Sequence, residues 1–119
     1  MKFCVKVCDI SLFAGTIKKS IDHLLSNIKN SKRRNNLCIS ATGAHGIVNA
    51  QKKPDFKKLL NEFYLNLPDG KPGVCVGRLK GAKQMERCYG PDFFSAFMQE
   101  SANLDVKHYL CGGKDGVAD

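Results

Sequence analysis

The stretch YLNLPDGKP (64–72) carries an apolar run into Pro68, Asp69 and Gly70. A strand must stop there, because proline and Asp-Gly are turn chemistry. The acid therefore stands at the point where a strand ends. A turn accounts for it locally. A catalytic base at the carboxyl end of a strand would have the same sequence.

Outward from this stretch, the pattern alternates between short apolar runs and helical periodicity. FCVKVCDI (3–10) reads as a first strand. From about Thr16 to Asn30, Ile17, Ile21, Leu24, Leu25 and Ile28 form a helical stripe. NSKRRNN (30–36) reads as a basic loop, and LCIS (37–40) as a short strand running into ATGAHG. A helical stretch begins near Ile47, is broken at Pro54 and restarts at Asp55, with Phe56, Leu59 and Leu60 on one face. After the 64–67 strand, a helix is expected over Gly73–Lys80 with Gly81 as its C-terminal cap. Another begins at GPDFF, with Pro91 in its first turn and Asp92 near the positive end of the dipole. KHYLCGG (107–113) reads as a last strand. Strands separated by helices imply right-handed crossovers, and so an α/β fold: a Rossmann-like parallel sheet with helices on both faces. The run LCGGKDGVAD calls for more helix and sheet, so residues 1–119 read as the N-terminal portion of a single, truncated domain.

The chain has 119 residues, 43% hydrophobic and 25% charged, the balance of a globular and soluble protein. No run is long enough to cross a bilayer, and the start is too short and interrupted for a signal peptide. The net charge of +8 is uneven: the first 58 residues hold 12 basic and 3 acidic side chains, a surplus of +9, and the rest hold 7 and 8. Such a half attracts polyanions, whether nucleic acid, anionic lipid or pyrophosphate. The six cysteines are scattered through apolar runs, with no CxxC pair and no Cys/His cluster at zinc spacing. They read as reduced, mostly buried thiols, and no metal site is expected.

In an open parallel sheet, ligands bind beyond the carboxyl ends of the strands. Three such ends carry ATGAHG (41–46), PDGKP (68–72) and CGGKDG (111–116). Each sets glycine beside a hydroxyl, carboxylate, imidazole or amine, as a phosphate pocket requires. None matches GxxxxGK[ST] or GxGxxG, which disfavours a P-loop kinase or a standard dinucleotide fold. Each candidate also has a plainer role. Thr42 suits a helix cap, His45 a satisfied imidazole, Arg87 a partner for Glu86 or another surface acid, Asp92 a complement to the helix dipole, and Lys114 a solvated side chain. The residues alone support an α/β domain that binds something phosphorylated.

TGAHG, PDGKP, ERCYGPD and GGKDGVA, in this order and spacing, closely resemble the bacterial glycosyltransferases of the TagA/WecG/CpsF type. The resemblance runs from the first strand to the last residue, although known members are longer. It implies inverting transfer of a sugar, N-acetylmannosamine or a relative, from a UDP-sugar donor. The implied acceptor is lipid-linked, typically N-acetylglucosamine on undecaprenyl pyrophosphate. The products would be teichoic acid, capsule, exopolysaccharide or other cell-wall polymers. The family's fold is a Rossmann-like one of its own, and nucleotide binding there needs no divalent metal and no cofactor. Carried over by motif, Asp69 is the general base, Thr42 the pocket threonine, and Arg87 the arginine before the glycine-acid stretch. The expected substrate-binding set is Thr42, His45, Gly70, Arg87, Asp92, Gly112 and Gly113. Two other readings compete: a non-catalytic basic module binding nucleotide or nucleic acid, and an inactive remnant of the family. No RNA- or DNA-binding motif and no aromatic stacking platform on a strand supports a nucleic-acid partner.

The resemblance and the charge distribution together place the protein in the cytoplasm, peripheral to the inner face of the membrane. Binding to vesicles should then require anionic lipid and weaken as salt rises, because screening shortens the reach of each lysine. Equal binding to neutral vesicles at high salt would assign the effect to apolar insertion.

Overall fold

The computed structural model describes residues 4–30 and 37–117. The basic stretch 30–36 lies, from 31 onward, outside the described residues. The chain order is β1 (Cys4–Val7), β2 (Ile10–Phe13), α1 (Ile17–Asn30), β3 (Ile39–Thr42), α2 (Ala44–Lys52), α3 (Pro54–Glu62), β4 (Leu65–Pro68), α4 (Lys71–Leu79) and α5 (Gly90–Ser101).

Local chemistry sets most of these boundaries. Thr16 precedes α1 and its Oγ1 accepts the Lys19 N–H at 3.2 Å, the N-cap arrangement. Pro54, Pro72 and Pro91 each fall in the first turn of a helix, where the missing N–H costs nothing. Helix α4 ends as expected at Gly81, whose φ of 107° is left-handed. There the Gly81 N–H reaches Arg78 O at 3.1 Å and the Ala82 N–H reaches Gly77 O at 3.0 Å, the two bonds of a Schellman cap.

Strands β3 and β4 pair in parallel, with Ile39 opposite Leu65 and Thr42 opposite Pro68. The connection between them passes through α2 and α3, the crossover that a parallel pair needs. Leu12 and Phe13 are neighbours on β2 and so point to opposite faces. Leu12 packs with Ile47, Ala50, Leu60 and Val74 from α2, α3 and α4. Phe13 packs with Leu65 and Leu67, against Ile17 of α1 and Phe93 of α5. Helices therefore cover both sides.

The parallel sheet is smaller than expected, and two strand expectations are corrected. FCVKVCDI is not one strand. It folds back at Cys8 and Asp9, with φ of 50° and 64°, so that β1 and β2 form an antiparallel hairpin. Positive φ at both turn positions is the primed-turn geometry usually given to Asn-Gly. Here outside partners impose it. Gln51 Nε2 donates to Cys8 O at 2.7 Å, Asn61 Nδ2 to Asp9 O at 2.9 Å, and Lys57 pairs with the Asp9 carboxylate at 3.2 Å. Second, no strand forms over 107–113; residues 106–112 are irregular and Tyr109 is 90% exposed. The segment is held against α5 instead. Ser101 Oγ donates to Phe97 O and accepts from His108 Nε2 at 3.0 Å, with the His108 ring edge-on to Phe97. Among the described residues, the Rossmann-like parallel sheet is thus represented by the β3–β4 pair alone, within a mixed α/β domain.

Asn66, buried on β4, joins the pieces. Its Nδ2 donates to Ser11 O at 3.1 Å and Leu60 O at 2.7 Å, and its Oδ1 accepts from Ser40 Oγ at 2.7 Å. Asn66→Ala would leave these groups unpaired in the interior. It should lower stability by about 1–3 kcal/mol, measurable as a fall in the urea midpoint at unchanged slope.

Candidate active site

The carboxyl end of the β3–β4 pair is where the motifs meet. The Asp69 N–H donates to Thr42 O at 3.1 Å, extending the parallel ladder one residue past the strands. A Cβ placed on Gly70 would lie 3.9 Å from both the Ala44 nitrogen and the Gly43 Cα. The loops that open α2 and α4 are therefore in contact. A Cβ on Gly90 would lie 3.4 Å from that of Ala41, which brings the start of α5 to the same edge. None of these three helices is capped by the side chain of its own N-cap residue, Gly43, Gly70 or Tyr89. Their free N–H groups and positive dipole ends converge around Asp69, an arrangement that favours an anion.

Asp69 is held asymmetrically. The Gly90 N–H donates to Oδ1 at 3.4 Å, and Arg87 Nη2 stands 3.9 Å from the same oxygen. Arg87 Nε donates to the Asp69 carbonyl at 2.8 Å, so one guanidinium grips both main chain and side chain. Asp69 Oδ2 and Arg87 Nη1 make no hydrogen bond to any described residue. The side chains of Asp69 and Arg87 are 29% and 45% exposed, so the pair is reachable from solvent. The Arg87 guanidinium lies over the Tyr89 ring, 4.8 Å from its centroid, at cation–π distance.

The placement of Arg87 depends on its neighbours. The Glu86 N–H bonds Gly15 O at 3.2 Å and the Cys88 N–H bonds Pro68 O at 2.8 Å. Met85 and Cys88 are fully buried. Residues 85–88 are thereby pinned between the ends of β2 and β4, and Arg87 can only point outward at Asp69. Burial, with smaller contributions from Glu86 and Asp69, pushes the Cys88 thiol up to about 11. At neutral pH Cys88 is a packing group and not a nucleophile.

The remaining expected residues fall at different distances from this centre. Thr42 is 6% exposed. Ser40 gives its proton to Asn66, so the Thr42 hydroxyl donates to Ser40 Oγ and its main chain, not its hydroxyl, meets Asp69. His45 is exposed in the first turn of α2 and pairs with Asn49 at 3.2 Å. Asp92 is exposed in the first turn of α5. Gly112 and Gly113 have φ of 114° and 79° in the irregular, exposed tail, and no strand carries them to the β3–β4 edge. Tyr89 and Gly90 carry no assigned role in the sequence pattern, although ERCYGPD contains both. A groove of about 520 Å³ lies toward the other end of β4, lined in part by Asn61, Tyr64 and Asn66. The amides of Asn61 and Asn66 are committed to Asp9, Ser11, Leu60 and Ser40, so it offers less to a polar ligand.

A carboxylate, a guanidinium and three helix starts thus meet at one strand end of a mixed α/β domain, a surface suited to an anionic ligand. The comparison with known families is specific: the model of the WecG/TagA/CpsF family of glycosyl transferases matches residues 5–119. The chain belongs to that glycosyltransferase family. No curated protein matches it. No helix among the described residues is long and apolar enough to cross a membrane.

The expectation of mostly buried thiols is corrected: Cys8, Cys38, Cys75 and Cys111 are exposed and Cys4 is half-buried, and only Cys88 is buried. Cys8 and Cys38 lie just outside strands, Cys75 on the solvent side of α4 and Cys111 in the irregular tail. Under native conditions near neutral pH, iodoacetamide should label the exposed Cys8, Cys38, Cys75 and Cys111 well before Cys88, as read by peptide mass spectrometry. The raised Cys88 value has a further consequence. Its contribution to stability is complete below the ordinary thiol value of 9.0 and is lost as pH rises toward about 11. The alkaline fall in stability should be shallower in Cys88→Ala.

Proposed function

We propose that the protein catalyses inverting transfer of a sugar, N-acetylmannosamine or a close relative, from a UDP-sugar to a lipid-linked acceptor. The acceptor class is a sugar on undecaprenyl pyrophosphate at the cytoplasmic membrane face. The product would enter cell-wall or extracellular polysaccharide. Family membership supports the transferase class, and the resemblance of the motifs supports the substrates. The observation that carries the mechanism is the asymmetry at Asp69, with Oδ1 held by Gly90 and Arg87 and Oδ2 open.

Inversion requires the acceptor hydroxyl to lose a proton as its oxygen attacks the anomeric carbon from the face opposite the leaving group. Oδ2 takes that proton. The new bond forms between the acceptor oxygen and the anomeric carbon, while the bond from that carbon to the β-phosphate oxygen breaks and UDP departs. Charge grows on the departing pyrophosphate, and Arg87 Nη1 with the helix starts stabilises it. Pro68 before Asp69, with the Thr42 carbonyl on its N–H, fixes the base on the rigid end of a strand. Gly43 has open space where a Cβ would stand, so the backbone there can approach a phosphate closely.

Asp69→Asn in the full-length protein should lower turnover by roughly 10²–10⁴-fold, the usual worth of a positioned base. Asparagine can still accept from Gly90 and form the turn, so the fold and donor affinity should change little. Turnover within a few-fold of wild type at saturating donor and acceptor would remove Asp69 from the mechanism. A folded, donor-binding protein with no transferase activity in either form would identify an inactive family member.

A further inference from the structure

We infer that Tyr89 is a positioning residue for the base, acting through Arg87; the inference rests on the role proposed for Asp69. The peptide Tyr89-Gly90 supplies both supports of Asp69 Oδ1. Gly90 provides its N–H directly at 3.4 Å, and Tyr89 provides the ring face on which the Arg87 guanidinium rests at 4.8 Å. The main chain that carries the ring is fixed. Tyr89 follows Cys88, which is fully buried and bonded to Pro68 O, and it is the N-cap of α5, with its own carbonyl accepting the Phe93 N–H at 2.9 Å.

The physical need for such a platform comes from the arginine. Its side chain is nearly half exposed, and its contact with the carboxylate oxygen, at 3.9 Å, is too long to lock the guanidinium plane by itself. A long exposed side chain loses rotamer entropy when held in one geometry, and a surface ion pair offsets little of that. A ring face beneath the guanidinium restricts it to a plane in which Nε meets the Asp69 carbonyl and Nη2 faces Oδ1. This orients the carboxylate so that Oδ2 points away from both supports. The Tyr89 hydroxyl makes no hydrogen bond to any described residue, so the ring is the working part. Tyr89 is 41% exposed, and its removal opens no core cavity.

The test compares Tyr89→Phe and Tyr89→Leu in the full-length protein, with and without Arg87→Lys. Tyr89→Leu should lower kcat roughly 3–30-fold, the range of a cation–π contact that is partly desolvated. Tyr89→Phe should retain wild-type kcat. With Arg87 replaced by lysine, the leucine substitution should cause little further loss, because the guanidinium plane it held is gone. Hydrogen exchange at Arg87 Nε–H, followed by NMR on the protein without substrate, should quicken in the leucine variant and not in the phenylalanine variant. Wild-type kcat and exchange in Tyr89→Leu would overturn the inference, as would equal losses in Phe and Leu, or losses that simply multiply with Arg87→Lys. If Asp69→Asn is itself nearly as active as wild type, the base assignment fails. The exchange measurement still reports whether Tyr89 holds Arg87.

Discussion

The buried Asn66 amide uses its hydrogen-bonding capacity inside the protein, and the site stands on the frame it closes. Its two N–H groups bind carbonyls from β2 and from the end of α3, and its oxygen takes the Ser40 proton from β3. Three neighbouring segments are thereby set in register against β4. A network of this kind favours one arrangement because each alternative leaves a polar group unpaired at low dielectric. The Thr42 hydroxyl completes it by donating to Ser40. The hydroxyl that the motif singled out therefore works on the inner side of the strand, while the Thr42 carbonyl holds Asp69 on the outer end.

A second frame sets the cation. Residues 85–88 are pinned by two buried side chains and two main-chain bonds to the ends of β2 and β4. With Met85 and Cys88 buried and the main chain bonded at Glu86 and Cys88, the side chain of Arg87 is left to reach Asp69. The guanidinium then has one nitrogen on the Asp69 main chain, one near Oδ1 and one open. This geometry lets a single arginine steady the base and still meet a pyrophosphate. It also explains why a buried cysteine stands beside the site: Cys88 packs among Phe13, Leu65 and Leu67 and keeps its proton.

Much of the site was legible in its parts. PDGKP placed an acid at a strand end, and the structure puts Asp69 one residue past β4. ATGAHG and ERCYGPD lead into α2 and α5, whose starts meet at that same end. The third expected end, CGGKDG, follows no strand, since the apolar residues before it find no neighbouring strand and His108 turns the chain onto Ser101. A short apolar run specifies a strand only if a partner edge is available, and a run by itself carries no information about its partner.

Although α4 begins at Lys71, two residues before the expected Gly73, the sequence by itself determined the break at Pro54, the helix start around Pro91, the stop at Gly81, the amphipathic stripe of α1 and the acid at the end of β4. These depend on backbone restrictions and periodicities that act within a few residues of one another. Only the tertiary structure decided that Cys8 and Asp9 would turn, because their left-handed backbone is held by Gln51 and Asn61, 43 and 52 positions away. Likewise it alone decided that Arg87 grips Asp69, 18 positions back, and that Tyr89 lies beneath Arg87. Those choices depend on hydrogen bonds and packing between distant segments, whose geometry exists only once the chain is folded.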